Sequence, residues 1–203
     1  MTGGGVEFDP SPLMVLLIDS DPDRIKIVEE GLAKNAVVKH AASVHGRALI
    51  DLIGELQPDV LIIDCESPDR DTIEGLRTVA QTHPKPIVMF VEDGDGSLAR
   101  QAVRAGVSAY IVDGLTPARV QPVIDVAIER FQLVNELRTE LKKSKEDLAA
   151  RKVIERAKGL LMEKRELSEQ AAFEAMRSMA MKQGKPLKEV AENIIQISSL
   201  LGD

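Results

Sequence analysis

The chain of 203 residues is poor in aromatic residues, cysteine and long apolar runs, and each shortage excludes a class of protein. Phe173 is the only aromatic residue after residue 131, so a platform that stacks several nucleic-acid bases is excluded there. The single cysteine, Cys65, rules out an internal disulfide and fits a reducing cytoplasm. No apolar run approaches the ~20 residues needed to span a bilayer. Residues 1–12 lack a signal-peptide pattern and are predicted to be a frayed tail.

The net charge of −7 is unevenly distributed along the chain. Residues 1–150 contain 16 basic and 25 acidic residues, whereas residues 151–203 contain ten basic and eight acidic ones. Any contact with nucleic acid is therefore expected in the C-terminal part. Charge alone favours a solvated charged helix there over a nucleic-acid site, and it does not decide between them.

Short apolar segments alternate with amphipathic ones over the first 115 or so residues. The apolar segments are typical of strands buried on both faces of a parallel sheet. They comprise residues 13–18, 36–38, 60–63, 87–91 and 110–112, and the predicted helices between them are 22–34, 44–56, 72–82 and 97–105. The alternation predicts an α/β fold with a doubly wound, parallel, five-stranded sheet over residues 13–122.

A long helix is predicted to follow the sheet, because no Gly or Pro occurs between residues 123 and 156. Apolar residues fit the a and d positions of one heptad register, although Arg130, Ser144 and Arg151 interrupt it. The apolar members are Ala127, Val134, Leu137, Leu141 and Leu148. We interpret residues 123–150 as a coiled-coil linker that pairs two chains into a homodimer; a single solvated connecting helix is the alternative.

Two short helices are predicted after the long one. Ser168 is a suitable N-cap for a helix that reaches Lys182, and Gly184 is a suitable stop. Pro186 lies near the first turn of a final helix. With the end of the long helix, they form a predicted three-helix bundle over residues 151–203.

Acidic residues follow two of the predicted strands. Asp19 and Asp21 come after the first strand, and Asp64 and Glu66 after the third. In open parallel sheets the functional crevice lies beyond the carboxyl ends of the strands. Clustered carboxylates there suit a divalent cation with oxygen ligands, which would let Asp64 accept a phosphoryl group.

Three segments around these acids resemble the receiver domain of two-component response regulators, which has a flavodoxin-like fold. They are residues 16–22 (LLIDSDP), 59–64 (DVLIID) with Pro68, and 105–110 (AGVSAY). The resemblance implies that Asp64 is the phosphoacceptor, that Asp19 belongs to an acidic pair, and that Glu66 gives a backbone carbonyl to Mg²⁺.

The chain departs from the receiver pattern at three positions. Ser20 replaces the second acidic metal ligand, Val91 replaces the hydroxylated switch residue, and Asp113 replaces the usual lysine. Val91 cannot hydrogen-bond a phosphoryl oxygen, and Asp113 would repel one. Asp21 or Asp113 could partly replace the lost metal ligand. We therefore predict a receiver-shaped domain that is switched by protein contact.

Residues 151–162 (RKVIERAKGLLM), with 168–173 (SEQAAF), resemble the ANTAR domain of transcription antiterminators of the AmiR/NasR type. The resemblance covers residues 151 to about 197 and implies binding to hairpins in leader mRNA. Ala157, Lys158 and Gly159 match the core signature, whereas Phe173 is expected in the helical core. Basic neighbours added on charge and spacing are Arg156, Arg165, Arg177 and Lys182.

The sequence thus predicts a cytoplasmic, non-enzymatic antiterminator. Residues 88–93 (VMFVED) and 106–115 (GVSAYIVDGL) resemble the nitrate-assimilation, NasT-like branch. That resemblance implies control by a nitrate-sensing protein; a histidine kinase is the other candidate sensor. The alternative function is a phosphorylation-controlled, DNA-binding response regulator. An enzyme is disfavoured because no triad, P-loop or general base accompanies Asp64.

Overall fold

The computed structural model describes residues 12–32, 36–42, 46–92 and 94–200. The tail predicted for residues 1–12 lies outside this part of the chain, apart from its last residue. The chain divides into two compact units, Met1–Val134 and Asn135–Asp203. The predicted boundaries at 122/123 and 150/151 both fall inside one continuous helix, Pro117–Arg165.

The N-terminal unit is built on a parallel sheet of five strands in the order β2-β1-β3-β4-β5. The strands are β1 (Leu13–Ile18), β2 (Ala36–Ala41), β3 (Val60–Cys65), β4 (Ile87–Val91) and β5 (Ala109–Val112). The predicted fold class is confirmed. Strand β2 runs three residues beyond its prediction because it lies at the sheet edge, where exposed polar residues such as Lys39 and His40 replace apolar ones.

Helices α1 (Pro22–Gly31), α2 (Gly46–Leu56), α3 (Arg70–Thr82) and α4 (Gly96–Ala105) connect the strands. Asp21, Asp69 and Asp95 each accept a backbone N–H as N-caps of α1, α3 and α4. The predicted end of the first helix at residue 34 and the predicted start of the second at residue 44 lie outside the described residues. These caps fix where each helix begins beyond the carboxyl end of a strand.

Two apolar cores cover the two faces of the sheet. One of them includes Val120, Ile124 and Ala127 from the first turns of α5 (Pro117–Arg165). Arg130 also belongs to this unit, since it donates a hydrogen bond to the Ser108 carbonyl at 3.2 Å. Ala127 is fully buried in this core. The prediction that it is the first apolar residue of the coiled-coil heptad register is therefore wrong.

The C-terminal unit contains the remainder of α5 with α6 (Glu169–Gln183) and α7 (Leu187–Leu200). Ser168 caps α6 by accepting the Ala171 N–H, and Gly184 ends it with a left-handed φ of 62°. Both predicted signals are confirmed. Three buried residues, one from each helix, form the centre of a small apolar core: Ala157, Met176 and Ala191.

Hydropathy places none of the described helices across a bilayer, because none combines sufficient length with sufficient apolar character.

Candidate functional site

The acidic pocket lies at the edge of the sheet where the parallel strands end. Asp19 follows β1, Asp64 lies near the end of β3, and Glu92 follows β4. Asp19 and Asp64 are buried, whereas Glu92 is largely exposed. Burying carboxylates is costly unless a positive charge or hydrogen-bond donors compensate them.

The compensating charge comes from Arg24, in the first turn of α1. Its Nε and Nη2 each donate to one oxygen of Asp19, both at 3.1 Å. Its Nε also lies 3.6 Å from Oδ2 of Asp64, and its Nη1 donates to Glu92 at 3.1 Å. The side chain of Arg24 is only 23% exposed. One guanidinium therefore joins the ends of three strands.

Burial and neighbouring charges shift the ionisation of these groups. Burial raises the pKa of Asp64 to about 6, although the nearby Arg24 acts in the opposite direction. The hydrogen bonds to Asp19 raise the pKa of Arg24, which therefore stays charged. Burial, with the Asp64 charge, raises the pKa of Cys65 to about 11. The thiol is therefore protonated near neutral pH and is a poor nucleophile.

Three of the four residues predicted to bind Mg²⁺, all except Asp64, accept hydrogen bonds within the chain. Both oxygens of Asp19 accept from Arg24, and the Glu66 carbonyl accepts the Glu92 N–H at 3.2 Å. Asp21 accepts the Asp23 N–H as the cap of α1. In the described ranges, no three His, Cys, Asp or Glu side chains approach one another as a metal site would require. Mg²⁺ prefers six oxygens in near-octahedral geometry, and this donor set does not fit it.

Two of the three departures from the receiver pattern, Val91 and Asp113, line the same pocket, and none of the three supplies a cation. Val91 is buried, and Ser20 and Asp113 are exposed. Asp113 lines the pocket with Asp64 and adopts a left-handed φ of 52°. The sequence analysis did not identify Arg24 as a residue of this pocket. The available signal was its position three residues after Asp21, at the start of α1.

The two small residues of the C-terminal signature lie in opposite environments. Ala157 is fully buried against Met176 and Ala191. Gly159 is exposed, and a Cβ built on it meets no atom of the described chain within 4 Å. Packing within this unit therefore explains why residue 157 is small. It does not explain why residue 159 is a glycine.

The side chain of Lys158 is held by two carboxylates and is only 12% exposed. Its Nζ lies 2.7 Å from Glu155 on the same helix and 2.7 Å from Glu169 on α6. The hydrogen bonds that Lys158 donates to Glu155 and Glu169 raise its pKa, and the bond to Glu169 lowers the pKa of that carboxyl. The lysine thus ties α6 to α5.

The other predicted basic residues are exposed. Arg156 lines an open groove of about 400 Å³ between α5 and α7, together with Lys152 and Ile195. Arg165 ends α5, and two further exposed cations lie on α6: Arg177 and Lys182. Within the described residues these cations have no ion-pair partner, so their charge is available to an external anion.

Phe173 does not lie in the core as the sequence predicted; it is 39% exposed. The buried face of α6 consists of Ala172, Met176 and Ala180, which are spaced by four residues. Phe173 is rotated ~100° away from Ala172 at 3.6 residues per turn. It therefore offers one exposed aromatic ring on α6.

Comparisons with known proteins match both units. A model of the response regulator receiver domain matches residues 15–125, and a model of the ANTAR domain matches residues 142–195. The chain is 30% identical over 197 residues to the transcriptional regulatory protein PdtaR of Mycobacterium tuberculosis, covering 97% of this chain and 96% of that one.

Two further relatives resemble part of the chain. A protein-glutamate methylesterase/protein-glutamine glutaminase of Nocardioides is 30% identical over 103 residues, which are 49% of this chain and 28% of that protein. The CheY-like receiver domain of Methanospirillum hungatei superposes with a TM-score of 0.51 at 19% identity, covering 60% of this chain and 98% of that one. The structural likeness establishes the receiver fold.

Proposed function

The chain belongs to the response regulators that join a receiver domain to an ANTAR domain, and from this premise we propose that it is a transcription antitermination regulator. Its C-terminal helices bind hairpins in leader mRNA, and its receiver-like unit controls that binding. No chemical step is assigned to the acidic pocket, so the proposal is a regulator without enzymatic activity.

The observation that carries this proposal is the open space at Gly159. A glycine in the interior of a helix costs about 1 kcal/mol relative to alanine. Nothing in the described chain approaches its missing side chain. A molecule outside the chain, such as an RNA backbone, therefore provides the physical reason for a glycine there.

Exposed cations lie close to this glycine. At 3.6 residues per turn, Lys152 and Arg156 lie on the same outward face of α5 as Gly159. Both are exposed and form no ion pair within the described residues; Glu192, which lines the same groove, pairs with Lys188. Lysine and arginine reach the phosphates, 2′-hydroxyls and splayed bases of a hairpin loop. Phe173 adds one ring on which a single base could stack.

The direct test compares RNA with DNA at matched salt. We expect full-length protein to bind a leader hairpin at least about tenfold more tightly than a duplex promoter fragment of equal length. The affinity should fall as salt rises, because bound cations release counterions from the phosphates. Tighter binding to the duplex would favour the DNA-binding alternative.

Control by a protein partner is proposed for the receiver-like unit. Val91 and Asp113 cannot hold a phosphoryl group, and Arg24 neutralises the pocket from within the chain. Features that would make Asp64 an efficient phosphoacceptor are therefore missing. A nitrate-sensing protein is the proposed partner and nitrate assimilation the proposed pathway; both rest on the sequence resemblance alone.

Replacing Asp64 by alanine should leave hairpin binding and its control intact. Arg24 keeps its two bonds to Asp19 in this variant, so the pocket retains its main ion pair. The measurement is hairpin affinity with and without the partner protein that co-purifies from the native cell. Loss of the partner's effect in Asp64→Ala, with normal folding by circular dichroism, would show that Asp64 transmits the signal.

A homodimer through α5 is also proposed. Leu137, Leu141 and Leu148 are each more than half exposed and recur at heptad positions. Replacing Leu141 and Leu148 by glutamate should convert a dimer into a monomer in sedimentation experiments, because charges would face each other across the seam. Ala149→Glu, ~100° away from Leu148 on the same helix, is the matched control. A wild-type monomer at every concentration would contradict the pairing.

A further inference from the structure

We propose that the guanidinium of Arg24 is the resident cation of the acidic pocket and takes the place of a divalent metal. The pocket would then be complete without Mg²⁺. This inference concerns the N-terminal unit only and does not depend on RNA binding.

The contact between Arg24 and Asp19 is the first support. The two planar groups meet fork to fork, with Nε and Nη2 donating to separate oxygens at 3.1 Å. This bidentate geometry is among the strongest that a carboxylate makes. One of those oxygens, Oδ1, also accepts the Asp21 N–H at 2.8 Å. Asp19 therefore has little remaining capacity to bind a metal.

The second support is the position of the guanidinium among the other acids. Its Nε lies 3.6 Å from Asp64 and 3.9 Å from Asp21, and its Nη1 lies 3.1 Å from Glu92. A cation in this pocket would approach the same carboxylates. Arg24 is thus already at the centre of the negative charge.

The third support is that, among the described residues, Asp64 is the one carboxylate of the pocket with a buried oxygen still available to a metal. Oδ2 of Asp64 is buried without a hydrogen bond, and it faces the guanidinium. A divalent ion bound to that oxygen would lie beside a fixed positive charge, and like charges repel strongly at such distances. A metal can therefore enter only by displacing Arg24.

The test compares metal binding by wild type and Arg24→Gln in the full chain. Mn²⁺ serves as the probe and is followed by electron paramagnetic resonance. We expect wild type to bind no Mn²⁺ at this pocket at millimolar concentrations. Arg24→Gln exposes the carboxylates and should bind Mn²⁺ at least about tenfold more tightly. Adding Asp64→Asn to Arg24→Gln should abolish that gain.

Thermal unfolding provides a second readout at constant ionic strength. Arg24→Gln should unfold at a lower temperature than wild type, and Mg²⁺ should restore part of the loss because it binds only the folded state. Wild type and the control Arg47→Gln, which removes an exposed arginine of α2, should not respond to Mg²⁺.

Two outcomes overturn the inference. One is stoichiometric Mn²⁺ binding by wild type that Asp64→Asn removes, a measurement that needs no Arg24 variant and so stands even if Arg24→Gln fails to fold. The other is an Arg24→Gln protein that is folded but gains no affinity for Mn²⁺.

Discussion

Replacing Gly159 by alanine is expected to stabilise the C-terminal unit and at the same time weaken its binding to RNA. The added methyl group meets no atom of the described chain within 4 Å, so it causes no clash in the free protein. Alanine should raise the stability of the helix by about 1 kcal/mol. In the complex the same methyl group would intrude into a close contact, at a cost of about 1–3 kcal/mol, or roughly 5- to 150-fold in affinity.

Hydrogen exchange and hairpin affinity, measured on the same sample, separate these two effects. Exchange at the amides of α6 and α7 should slow or stay unchanged in Gly159→Ala, while the affinity falls. The oligomeric state is measured in parallel, because Gly159 lies 18 residues and therefore five turns after Leu141, on the same face of α5. Unchanged RNA affinity with altered dimerisation would assign the open space at Gly159 to a second α5 helix.

Replacing Ala157 by leucine is expected to have the opposite kind of effect. Ala157 is fully buried against Met176 and Ala191, so the larger side chain must push two helices apart. Overpacking of this kind costs about 1–3 kcal/mol. In a core of three central residues this cost is a large share of the stability. RNA binding should be lost in proportion to unfolding.

The matched control places leucine on the exposed side of the same helix. Glu163→Leu should leave hydrogen exchange in α6 and α7 near the wild-type rate, because Glu163 is exposed. Ala157→Leu should accelerate that exchange by at least about tenfold. Equal protection in the two variants would contradict the burial of Ala157.

The fold was predictable because its signals are local. Strands buried on both faces require continuous apolar runs, which β1, β3 and β4 show plainly. The ends of α6 were also predictable, since Ser168 and Gly184 act through their own backbone neighbourhood.

The failed predictions concern residues whose environment depends on rotation about a helix or on distant partners. Ala127 fits a heptad, yet the sheet buries it before any seam begins. Phe173 lies in an apolar stretch, but it follows the buried Ala172 by one residue, and the helical rotation of about 100° places it outside the core. The contact between Arg24 and Glu92 was not predicted at all, because the two residues are 68 positions apart and no local sequence pattern indicates that they meet.

The candidate RNA site was predictable as a segment and not residue by residue. The signature at residues 157–159 lies within the segment that the ANTAR model matches, yet its three members differ in the structure. Ala157 packs in the core, Lys158 is tied to Glu155 and Glu169, and only Gly159 is open to solvent. Spacing along a sequence cannot distinguish these environments, because each depends on where α6 and α7 pack.

The most direct test of the central claim is to crosslink the protein in its native cell and sequence the nucleic acid recovered with wild type and with Gly159→Ala. The proposal predicts that wild type recovers leader transcripts that can form hairpins. It also predicts that Gly159→Ala, folded and expressed at the same level, recovers several-fold less of them. Recovery of promoter DNA in place of RNA, or equal recovery of RNA by both proteins, would contradict it.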